Sequence, residues 1–126
     1  MERHQSNGEA AMVARLNERS RAEVLLLWDE TLPRQTWNTS NEVPLTHSTR
    51  DVMISGDVGC PFVVKIEWQL LNMVGIEKWI PGSTFVRSGS IKEIVRAKGR
   101  KMRLKINPLG NNLNPQIQLE VRRCVN

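Results

Sequence analysis

The 126-residue sequence has no tyrosine, two phenylalanines, two cysteines and two histidines. Each scarcity removes a class of function. With so few aromatic rings there is little to stack bases on. Trp37 and Trp79 are the candidates, and each also suits a packing anchor. Cys60 and Cys124 are too few for a disulfide scaffold and lack CxxC spacing. They read as reduced thiols, with a Cys60–Cys124 bridge left open because both lie on or beside expected strands. His4 and His47 have no cysteine or carboxylate beside them and form no metal motif.

Catalytic signatures are equally scarce. There is no nucleophile elbow, no phosphate-cradling glycine–lysine loop, no paired-histidine zinc motif and no dinucleotide fingerprint. Cys60 would need a histidine to activate it, and nothing in the pattern brings His47 there. Asp51 and Asp57 read as a strand start and a turn residue rather than an acid–base pair. The expectation is no enzyme, no metal, no cofactor and no small-molecule substrate. Long apolar runs are missing too. Val24 to Trp28 is short, and Ile66 to Ile80 is broken by five polar residues. Neither approaches the roughly 20 residues that span a bilayer. No apolar run follows a basic start, so a soluble, cytoplasmic protein is expected, with the nucleus also open.

What is present is charge, unevenly placed. Residues 1–86 hold eight Lys/Arg against eleven Asp/Glu, a net of −3. Residues 87–126 hold ten Lys/Arg against Glu93 and Glu120, a net of +8. Such segregation points to a polyanion or to charge-complementary self-assembly.

Periodicity suggests where these charges sit. Residues 1–8 read as a frayed tail and 9–126 as one domain. From Glu9 to Leu32 there is no Gly or Pro, Ala, Leu, Glu and Arg abound, and Met12, Leu16 and Leu27 fall near helical spacing. A capping-box pattern, Ser6 to Glu9, precedes it. This predicts an amphipathic helix over 9–32, stopped by Pro33, with a loop over 33–51. Residues 52–125 read as β-rich. Phe62 to Leu71 alternates most cleanly, with Phe62, Val64, Ile66, Trp68 and Leu70 on one face. Shorter strands are expected at 51–56, 76–80, 84–87 and 91–96, separated by Gly56–Gly59, Pro81-Gly82 and Ser88-Gly89. Met102, Leu104 and Ile106 alternate with Lys101, Arg103 and Lys105. Ile117, Leu119 and Val121 alternate with Gln118, Glu120 and Arg122. Gly99 is expected to turn a tight basic hairpin at a positive φ. Residues 107–115 read as a projecting loop. The fold class expected is α+β: the helix, then a mostly antiparallel sheet or half-open sandwich of six to seven strands.

The leading functional expectation is sequence-independent contact with the phosphates of RNA or single-stranded DNA. Arg96, Lys98, Arg100, Lys101, Arg103, Lys105 and Arg122 would supply it. The alternatives are a structural or self-assembling homo-oligomeric subunit, of the small viral coat, movement or silencing-suppressor type, and a module for an acidic protein surface.

Overall fold

The computed structural model describes residues 23–70, 78–111 and 113–124. Among these the chain is all β, in seven strands: β1 Val24–Thr31, β2 Asn38–Thr39, β3 Val43–Pro44, β4 Asp51–Gln69, β5 Trp79–Arg96, β6 Lys101–Pro108 and β7 Gln116–Arg123. The α+β expectation is overturned, because no described residue is helical. The frayed tail and the first part of the expected helix, residues 9–22, lie outside the described residues. Its second part is β1, which pairs antiparallel with β7. Leu26 and Trp28 are buried while Leu27 between them is 69% exposed, an alternation of period two. The run of three leucines hides that alternation in sequence, and pairing with β7 outweighs a modest helix preference.

All strands belong to one antiparallel sheet in the order β1-β7-β4-β6-β2, with β3 also on β6 and β5 on β4. The long strand β4 organises it. On one edge, residues 52–57 pair with β7 and 62–69 with β6; the other edge pairs with β5 almost throughout. As far as Gln69, the two expected strands 51–56 and 62–71 are therefore one strand with a bulge between Asp57 and Pro61, where β4 passes from one neighbour to the other; residue 71 lies outside the described residues. Gly56 has φ 145°, and a Cβ there would strike the Gln118 carbonyl oxygen at 1.9 Å. From Trp79 on, the separate pieces expected over 76–96 are likewise the single strand β5; residues 76 and 77 lie outside the described residues. Gly82 is no turn residue: a Cβ on it would lie 2.4 Å from the Trp68 ring nitrogen.

The sheet curls into a half-barrel, and the connection from β5 to β6 reports the curvature. Arg96 is opposite Asp51 at one end of β4, and Lys101 is opposite Gln69 at the other. Five residue steps reach at most about 18 Å, whereas a straight strand of this length would hold its ends roughly 60 Å apart. Ala97 N–H donates to the Arg50 carbonyl and Arg100 N–H to the Gln69 carbonyl, both at 2.8 Å, tying the two ends together. The expected basic hairpin is thus a crossover, since β5 and β6 pair with opposite edges of β4. Gly99 is needed there for close approach rather than for a positive φ: its Cβ would meet the Gln69 carbonyl oxygen at 2.5 Å.

The concave face holds the core. Val52, Ile54, Phe62, Val64, Ile66 and Trp68 of β4 meet Met102, Leu104 and Ile106 of β6 and Ile117, Leu119 and Val121 of β7, all under 2% exposed. Burial of side chains this size contributes roughly 1.5–3 kcal/mol each. Leu70, expected inward, is 47% exposed, and Gln69, expected on the polar face, is buried under the crossover. The expected loop 33–51 is an edge for β6. Ser40 N–H donates to the Leu104 carbonyl, and Leu104 N–H donates to Ser40 Oγ, so a side chain continues the ladder between β2 and β3. The expected projecting loop is tethered: the Arg34 guanidinium donates to the carbonyls of Leu109 and Leu113.

Candidate functional site

Of the seven basic residues expected to make up a basic sheet face and hairpin tip, three do share a strand face. Lys101, Arg103 and Lys105 alternate with the buried Met102, Leu104 and Ile106 of β6 and point to the convex side. The register sets a carboxylate among them. Glu67 of β4 is directly opposite Arg103; its Oε1 lies 2.7 Å from Arg103 Nε and its Oε2 3.9 Å from Lys105 Nζ. Glu42 Oε1 lies 3.3 Å from Lys101 Nζ. Indole rings lie against two cations of this face, Arg103 of the row and Lys65 of the neighbouring β4. The Arg103 guanidinium stands 4.2 Å from the Trp79 ring centre, and Lys65 Nζ stands 4.5 Å from that of Trp37. Each such contact stabilises by about 0.5–1 kcal/mol at a partly exposed site. Both tryptophans therefore lie against cations of this face. Four cations meet two carboxylates, so about half of the positive charge on this surface is offset.

The remaining four residues divide. Arg122 does not neighbour β6, because β7 pairs with β1 and β4. Its guanidinium lies 3.0 Å from Glu120, two residues back on the same face. Arg96 lies 3.5 Å from Asp51, with its side chain 77% exposed. Lys98 and Arg100 stand exposed on the crossover and have no carboxylate partner among the described residues. Arg50 joins them through the Ala97 N–H bond to its carbonyl and is equally unpartnered. Sequence reasoning passed over Arg50, since it sits in a loop beside Asp51; only the curl of β4 brings it to the crossover.

The other candidates fall apart on inspection. Cys60 is buried and Cys124 half-buried, both as free thiols. Burial pushes the Cys124 thiol above its ordinary value, and the Asp51 carboxylate adds to the rise. His47 sits exposed in a turn closed by Thr46 and Thr49. No group of three metal-ligating side chains occurs among the described residues, and no helix there is long and apolar enough to cross a membrane. A cavity of about 320 Å³ on the convex side, above Gly56, is lined by Leu27, Asp29, Asp57 and Glu120. Its acidity sets it apart from the cationic crossover.

The edges of the sheet are the other distinctive feature. β5 is 18 residues long and pairs only with β4, so one row of its backbone N–H and C=O groups has no strand partner among the described residues. Val86 and Ile94 on it are 64% and 63% exposed. At the other end of the sheet β1 pairs only with β7 among the described residues and exposes Leu27.

No protein-family model matches the sequence, and no curated protein matches it. Among solved structures, the chain is similar to one described as "Bacillus endospore appendages form a novel family of disulfide-linked pili". The identity is 14%, the alignment covers 80% of this chain and 83% of that one, and the TM-score is 0.37, a likeness that carries no argument about this chain.

Proposed function

We propose that the chain is a non-catalytic structural subunit that joins copies of itself through the open edges of its sheet. The observation that carries this reading is β5, an edge strand of 18 residues with Val86 and Ile94 exposed along it. Long edges with apolar side chains template pairing with another chain, and proteins that stay monomeric shorten, cover or twist them. The expected cationic face offers less than its sequence promised, because Glu67 and Glu42 offset half of the charge of its four cations. Sedimentation of the purified protein across a wide concentration range tests the reading. Mass that grows with concentration in the absence of nucleic acid supports it; a monomer throughout, at low and high salt alike, rejects it.

A specific observation favours a second reading, contact with nucleic-acid phosphates. Arg50, Lys98 and Arg100 gather at the crossover without carboxylate partners among the described residues, and Arg96 is largely exposed beside them. Three free cations on a single strand give a slope of log affinity against log salt of about −2. The double variant Lys98→Glu, Arg100→Glu abolishes retardation of a random oligonucleotide on this reading. Absence of retardation of the wild type at about 50 mM salt rejects it.

A further inference from the structure

Resting on the assembly reading, we propose that the partner of β5 is β1 of a second copy, paired antiparallel with Leu27 opposite Ile94. Strand polarity is the first argument. β1 is antiparallel to β7, β7 to β4 and β4 to β5, so β1 runs opposite to β5. This half of the sheet contains four strands, β1, β7, residues 52–57 of β4 and residues 90–96 of β5. A second copy in the same orientation therefore brings its β1 to β5 with antiparallel sense intact, and the addition can repeat. Heterologous contacts of this kind run on unless the rotation between copies closes them.

Side-chain facing is the second argument. Leu27 is in register with Glu120, Glu120 with Ser55, and Ser55 with Lys92, so Leu27 and Lys92 share the convex face. Ile94 lies on that face too, opposite Met53, which is opposite Arg122. Setting Leu27 of one copy against Ile94 of the next joins the most exposed apolar residue of β1 to the large exposed one within residues 90–96 of β5. The same register sets Asp29 against Lys92 and Thr31 against Ser90, convex residue to convex residue throughout. Cross-strand pairs of these kinds each favour association. Successive copies are then offset by two residues, roughly 7 Å along the strand.

Charge decides between this pairing and its symmetric rivals. A β5–β5 contact sets the Lys92 and Arg96 edge against itself, and a β1–β1 contact does the same with Asp29 and Glu30. Unlike edges attract where like edges repel. The first half of β5 is a poorer acceptor, because Pro81 lacks an N–H. Between Ser90 and Arg96 there is no proline.

The test uses Leu27→Arg and Ile94→Arg in the full chain. Both positions are more than 60% exposed, and unchanged circular dichroism checks that the fold is intact. Each variant alone lacks one half of every contact and is expected to sediment as a monomer. An equal mixture retains one intact β1 edge and one intact β5 edge, and is expected to give dimers and nothing larger. A Lys92→Glu variant loses assembly, and adding Asp29→Lys restores it. If the wild type assembles but either arginine variant still does so, or the mixture stays monomeric, this pairing is overturned while the assembly reading stands. If the wild type never assembles, both fall.

Discussion

The convex side of β6 and the open edges of the sheet are both polar surfaces, and they are finished differently. On β6 every outward cation has a carboxylate within 4 Å, and two indoles lie against cations of this face. At the crossover and along the last part of β5, Arg50, Lys92, Lys98 and Arg100 have no such partner among the described residues. A count of basic residues treats the two alike. Once folded, the first keeps a reduced excess of positive charge, whereas the second keeps unpartnered cations and open backbone groups for another molecule.

The largest effect expected concerns the strand that replaces the helix. Leu26→Asp buries an unpaired carboxylate and is expected to cost several kcal/mol, enough to unfold the domain. Leu27→Asp, one residue on, is expected to change stability by under about 1 kcal/mol. Denaturant titration of the pair checks this; equal losses contradict the alternation in β1 on which the open edge depends.

A smaller effect sharpens the contrast of surfaces. Glu67→Gln frees Arg103 and Lys105, and its expected cost is about 1 kcal/mol, since the pair is partly exposed. If the oligonucleotide reading holds, the salt slope steepens by about 1.4, two more single-strand contacts. An unchanged slope means that the β6 face stays closed to phosphates even without its carboxylate. The smallest effect expected is that of Trp37→Ala, about 0.5–1 kcal/mol from the lost contact with Lys65, read as a modest shift in melting midpoint.

How much of this was legible in the sequence depends on distance along the chain. The alternations of β6 and β7 were read correctly residue by residue, because each depends only on a strand's own period of two. β1 was misread, since Leu25, Leu26 and Leu27 satisfy a helical stripe as well as a strand, and only β7 decides between them. Glycines were read as breaks in β4 and β5, whereas Gly56 and Gly82 permit close contact inside continuous ladders. The neutralising role of Glu67 was invisible because it depends on the register between β4 and β6, 36 residues apart. Which strands lie at an edge depends likewise on their neighbours in space and not on their composition.

Sedimentation velocity of the wild-type chain, from micromolar to millimolar concentration and without nucleic acid, tests the central claim most directly. Open edges predict species rising in whole multiples of 14.4 kDa as concentration increases. One boundary at the mass of a single chain over the whole range would contradict it.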